Sequence, residues 1–144
     1  MEVTKVTEIE VRYKRSRNLF GKVQDENEVA EFIRKIMRDR GYLQYKEAFI
    51  SLFVDRRNNI HAYAINGVGE VAGVVSNHRE IATLALLTNS SGVIISHNHP
   101  SGNPAPSEAD RMITSKIRSG LAFLDITLLD SLIITADGHT SIIN

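Results

Sequence analysis

His97 to Asp110 reads HNHPSGNPAPSEAD, and this run decides how the rest of the chain is to be understood. All of the chain's prolines, Pro100, Pro104 and Pro106, fall inside it with Gly102 and Asn103, so regular structure cannot persist there. The run just before it, Val93, Ile94, Ile95 and Ser96, is short and apolar and reads as a buried strand. Ser107 just after it suits the start of a helix running to roughly Leu121, with Met112, Ile113, Ile117 and Leu121 as its expected inner stripe. A strand, a loop and a helix in that order place the segment where α/β sheets build their sites, at the carboxyl end of a strand.

The polar residues of the segment have a chemistry in common. His97 and His99 are two apart at the end of an extended run, so both imidazoles can point to one side. Asp110 follows on the first turn of the next helix, after enough loop to fold back over the strand end. Two imidazole nitrogens and one carboxylate suit zinc and leave a fourth position for water. Zinc lowers the pKa of such a water to roughly 7 and makes hydroxide available for hydrolysis. A carboxylate near the metal is then needed to move a proton. Glu47 is the candidate, because it stands at the edge of an apolar strand where a charge is awkward unless it faces a site.

Outward from the segment, strands and helices interleave. Ile9, Val11 and Tyr13 alternate with Glu10, Arg12 and Lys14, as in a strand with one charged face. From Asp25 the period becomes helical through Val29, Phe32, Ile33, Ile36 and Met37, with Asp25 and Glu28 placed for a capping box and Gly41 for the stop. EAFISLFV at 47–54, the turn residues Asp55 to Asn59, and Ile60 to Ile65 read as a hairpin. Ser76 can cap a helix carrying Ile81, Leu84, Ala85 and Thr88, and Leu128 to Thr135 and Thr140 to Ile143 close as strands around Asp137 and Gly138. The order indicates an α/β layered sheet in a single domain over residues 1–144, residues 1–41 supplying a strand and a helix and 42–144 the core that bears the motif.

Composition narrows the chemistry. At 144 residues one core is expected, and a domain of that size buries about 68–70% of its unfolded surface without staples, so a metal would be catalytic rather than structural. Formal net charge is zero, which supplies no long-range field for nucleic acid or anionic membrane. The absence of cysteine removes disulfides, thiolate nucleophiles and cysteine-based zinc sites. The first residues, MEVTKVTEIEVRYKR, hold no apolar run that could act as a leader or a span, and a cytoplasmic protein is expected.

His97, His99, Pro100, Ser107 and Asp110 together resemble the JAMM signature, H-x-H-P-x6-S-x2-D with an upstream Glu, and the full run is similar to the RadC family in particular. The similarity spans about the last hundred residues, from the Glu47 strand through Asn77, His78, Arg79 and Glu80 to Leu129 and Asp130. It implies a three-layer α/β/α sandwich with a mixed sheet, of the cytidine-deaminase-like JAB/MPN type. It further implies zinc on His97, His99 and Asp110, Glu47 as general acid/base and Ser107 as the hydroxyl that steadies the oxyanion. Such a protein would cleave a peptide or isopeptide amide through a metal-bound hydroxide. The sequence departs from the family at Ser131, where members often have His, and at His78, where Pro is frequent, and the helical module that many members carry before this domain is not expected within these residues.

Other readings compete on the same residues. Ser107 followed three residues later by an acid is a capping box on its own account, a helix-start device that stabilises by about 0.5–2 kcal/mol. The cluster Arg12, Lys14, Arg15, Arg17 and Lys22, and the repair connection of the RadC name, raise DNA as a partner, against zero net charge and only Tyr13 and Phe20 as nearby aromatics. A JAB-fold interaction module without catalysis is a third reading, opposed by the complete motif. A zinc nucleobase deaminase is excluded, since its P-C-x-x-C ligands require cysteine. His61, His78 and His139 are read as surface or loop residues.

Overall fold

In a computed structural model of the chain, residues 6–10, 25–69 and 78–143 are described. They form helices α1 (Glu26–Asp39), α2 (His78–Leu87) and α3 (Glu108–Phe123), and strands β1 (Ala48–Val54), β2 (Ile60–Val68), β3 (Gly92–Asn98), β4 (Thr127–Ile134) and β5 (His139–Ser141). No helix among the described residues is long and apolar enough to cross a membrane.

Local chemistry accounts for most boundaries. Asp25 caps α1 by accepting the Asn27 N–H at 2.8 Å, at the second helical position, rather than through the expected capping box with Glu28. Gly41, at φ +75°, ends it: the Tyr42 and Gly41 amides donate back to Met37 and Arg38, a closing turn that needs a left-handed residue. Between β1 and β2 the Asp55 carboxylate accepts the amides of Arg57 and Asn59 at 2.8 and 2.9 Å. Chiefly through the Asn59 amide, these bonds hold the Asp55 carboxyl below its ordinary value. Asn58 takes the turn's positive φ, a conformation asparagine tolerates.

The sheet runs in the order β2-β1-β3-β4-β5. Only β3 and β4 are parallel, joined across α3, and the other pairings are antiparallel, so the sheet is mixed. Because side chains alternate along a strand, β1 and β3 each feed two cores. Ile50, Leu52, Val54 and Ile94 meet α1 through Val29, Ala30, Ile33 and Met37. Phe49, Phe53, Val93 and Ile95 meet Ile81 and Ala85 of α2 and Ile117 and Leu121 of α3. Each large apolar side chain so buried stabilises by about 1.5–3 kcal/mol, and helices on both faces give the three-layer α/β/α arrangement.

Strand β4 is irregular near its start. Val93 pairs with Leu128 but Ile94 pairs with Asp130, so the ladder skips Leu129. A skip of one residue exchanges the faces of everything beyond it. Leu128 lies in the α2/α3 core while Leu132 and Ile134 lie in the α1 core, and Ser131 turns toward α3.

Three expectations need revision or fall outside the described region. Met112 is 67% exposed rather than part of the inner stripe of α3, which is Asp110, Thr114, Ile117 and Leu121. At 100° per residue Met112 lies roughly 200° from Asp110, on the solvent side. Ile9 and Glu10, the described part of the expected first strand, are exposed and lie in no strand, while Val11 to Lys14 are outside the described residues, as are the basic positions Arg15, Arg17 and Lys22. Ser76, read as the cap of α2, is likewise outside them.

Candidate metal centre

His97 occupies the carboxyl end of β3, opposite Phe49 of β1 and Ile133 of β4. Its ring lies parallel to the Phe49 ring with centroids 6.2 Å apart, and Phe49 is buried, so the imidazole has a fixed wall on one side. His99 follows just past the strand, where its amide donates to Ile134 O at 3.0 Å and carries the β3–β4 ladder one step further. Its Nδ1 lies 2.8 Å from Asn103 O. A carbonyl only accepts, so Nδ1 carries the ring proton and Nε2 presents a lone pair.

Asp110 reaches the same point from α3. Ser107 is the N-cap and accepts the Asp110 N–H at 3.1 Å, while Asp110 Oδ2 accepts the Ser107 N–H at 2.8 Å, a reciprocal capping box. The carboxylate divides its two oxygens: Oδ1 stands 3.1 Å from His97 Nε2, and Oδ2, besides its capping bond, stands 3.3 Å from His99 Nε2. The two Nε2 atoms are 3.1 Å apart. His97, His99 and Asp110 thus bring one donor atom each within 4.8 Å of one another, a group that could hold a metal ion. The cap and the convergence coexist because a carboxylate has about four lone-pair sites, and the cap uses one of them.

Asp110 is 3% exposed. Burial alone would raise its pKa, but the bond to His97 and the Ser107 amide outweigh it and hold the carboxyl well below the usual carboxylate range. The group is therefore an anion at neutral pH, as a ligand must be.

Glu47 immediately precedes β1, two residues before Phe49, and so shares the face of the sheet to which His97 points. It lines one cleft with His97, Asp110, Thr114 and Ser131. Those two hydroxyls bond each other at 2.8 Å, and every buried side-chain nitrogen or oxygen among the described residues has a partner. Ser107 stands at the exposed rim, its oxygen engaged by the cap. The three remaining histidines lie elsewhere: His61 bonds Ser90 at 2.9 Å, His139 bonds Glu26 at 3.0 Å, and His78 opens α2.

Sequence reading passed over Asn98, the residue between the two histidines. It is fully buried on the opposite face and bonds four backbone groups of residues 42–48. The one local signal was an amide side chain in a strand that alternation aims at the apolar core, where it must find partners.

The chain is 39% identical over 117 residues to a UPF0758 protein of Xanthomonas euvesicatoria, covering 81% of this chain and 50% of that protein. It is 40% identical over 104 residues to a UPF0758 protein of Methanosarcina acetivorans, covering 72% of this chain and 45% of that one. The chain therefore spans about half the length of the curated relatives it matches. The JAB fold includes metallohydrolases, and the strand, loop and helix that hold the three donors lie wholly within the matched region. With residues 23–144 matched by the family described as the RadC-like JAB domain, the chain belongs to that family.

Proposed function

We propose that the protein is a zinc-dependent hydrolase of the JAMM type, acting on a peptide or isopeptide amide. The observation that carries the reading is the meeting of His97, His99 and Asp110, with Glu47 lining the same cleft as His97 and Asp110. Ligand atoms around tetrahedral zinc, at roughly 2.0–2.1 Å from the ion, lie about 3.3 Å from one another. His97 Nε2 stands 3.1 Å both from His99 Nε2 and from Asp110 Oδ1, close to that spacing, while His99 Nε2 meets the other carboxylate oxygen, Oδ2, at 3.3 Å. When bound, a divalent cation lowers the pKa of water to roughly 7 and polarises a carbonyl.

The chain's own residues supply the rest. Asn103 O holds the His99 tautomer that leaves Nε2 free to ligate. The capping box orients the Asp110 carboxylate. Glu47 takes a proton from the attacking water on its carboxylate and passes it to the departing amine. Ser107 accepts the Asp110 amide through an oxygen lone pair, which leaves its O–H proton to donate to an oxyanion. Phe49 and Ala48 wall the cleft with apolar surface that limits water around the reacting atoms.

Metal analysis of the purified protein is expected to give close to one zinc per chain. Glu47→Gln is expected to keep that metal while hydrolysis of a fluorogenic peptide and isopeptide panel falls by roughly 10²–10⁴-fold. Metal-loaded Glu47→Gln with full activity would remove Glu47 from the mechanism, and activity that survives a chelator would remove the metal.

A further inference from the structure

Asn98 lies between two candidate ligands yet turns away from them. Alternation along β3 sends His97 to the α3 face and Asn98 to the other, where it is 0% exposed. Its Oδ1 accepts the Ala48 N–H at 2.7 Å. Its Nδ2 donates to Lys46 O at 2.9 Å and Leu43 O at 3.0 Å, with Tyr42 O at 3.3 Å sharing the same two protons. Three of the four partners belong to the segment that joins α1 to β1, and the fourth, Ala48, opens β1.

Two of those partners are the residues on either side of Glu47. The Lys46 carbonyl and the Ala48 amide are both clasped by one side-chain amide, so the backbone of Glu47 is bracketed from the strand that carries His97. Gly69 N–H adds a bond to Glu47 O at 2.7 Å from the β2 side. Asparagine alone suits this place among residues of its size, because one end must accept and the other must donate to several carbonyls. Aspartate cannot donate, and glutamine would push the segment out by a methylene.

We infer that Asn98 is a positioning residue for Glu47: by clasping both flanks of Glu47 it sets where the carboxylate stands relative to His97, His99 and Asp110. The inference rests on the hydrolase reading for the role of Glu47, but the clasp itself can be tested without it. One tripeptide then serves both halves of the site, the two histidines on one face of β3 and the placement of the acid/base from the other.

The test uses the full chain and Co(II) alone as the probe, in wild type, Glu47→Gln, Asn98→Ala and the double variant. Asn98→Asp serves as a second, isosteric variant in case the alanine form does not fold. Asn98→Ala is expected to bind one Co(II), since no ligand is touched. The pH midpoint of its visible d–d absorption should move in the same direction as in Glu47→Gln, with no further movement in the double variant. Additive shifts, or a wild-type midpoint in Asn98→Ala beside a shifted one in Glu47→Gln, would overturn the inference. Hydrogen exchange of the metal-free proteins forms the second arm. It should rise tenfold or more in residues 42–48 on loss of the clasp while β3 and the start of α3 keep their protection, and unchanged exchange in 42–48 would equally overturn the inference. If wild type takes up no Co(II), or Glu47→Gln keeps the wild-type profile, it is the hydrolase reading that fails, and the exchange arm still decides whether Asn98 holds the segment.

Discussion

Helices α1 and α3 both begin with a side-chain oxygen accepting a backbone N–H, Asp25 from Asn27 at 2.8 Å and Ser107 from Asp110 at 3.1 Å. In each the third helical position is an acid. Glu28 of α1 is exposed and faces solvent, whereas Asp110 of α3 is buried against two imidazoles. Asp25 makes a simple cap to the second helical position while Ser107 and Asp110 close a reciprocal box, and the two acids differ in surroundings because α3 starts beside the end of β3 and α1 packs its flank on the other face of the sheet. A capping box is thus a neutral observation until the fold shows what its carboxylate faces.

The contrast is broken most severely at Asp110. Asp110→Ala is expected to lose zinc, falling from about one per chain to near zero by metal analysis. It should also lose stability, as removal of a buried, hydrogen-bonded group does. Asp110→Asn separates the two roles: its amide oxygen can still accept the Ser107 N–H, so the helix start survives while metal affinity falls by 100-fold or more. A variant that kept both its melting temperature and its zinc would show that the carboxylate does not ligate.

The same residue gives a pH signature in the chelated protein. Its folded pKa lies below the unfolded value near 3.9, so its contribution is fully present above that value. The contribution is lost as pH falls through it toward the folded pKa. Metal-free wild type should therefore lose stability below about pH 4 more steeply than metal-free Asp110→Asn, read as melting temperature against pH. Equal slopes would mean that Asp110 is not held as described.

Smaller effects sharpen the comparison between the two caps. Ser107→Ala should cost about 0.5–2 kcal/mol and weaken zinc several-fold, because the Asp110 backbone loses its anchor. Asp25→Ala should cost no more than about 1 kcal/mol at its exposed helix end and leave zinc binding unchanged. A loss of zinc affinity in Asp25→Ala would contradict the separation of the two helix starts.

Much of the candidate site could be read from spacing. His97 and His99 sit two apart at a strand end, and Asp110 falls where the next helix must begin, so these candidates could be picked out from local periods, while their convergence depended on α3 starting beside the end of β3. The hairpin over Asp55 to Asn59 and the stop at Gly41 are legible for the same reason: each depends on residues within a turn of one another. The misplaced Met112 shows the limit of that reading. An apolar residue at near-helical spacing is counted as inner until the neighbouring sheet fixes which side of the helix is covered.

The sequence by itself determined most of the described elements, the cap of α3 and the choice of His97, His99 and Asp110 as candidate donors, because these depend on interactions a few residues long. Only the tertiary structure decided that β4 skips Leu129 and so turns Ser131 toward Thr114, and that Asn98 reaches back to residues 42–48 to bracket Glu47. Those contacts join positions tens of residues apart. Their geometry is set by sheet register and layer packing, which no local pattern records.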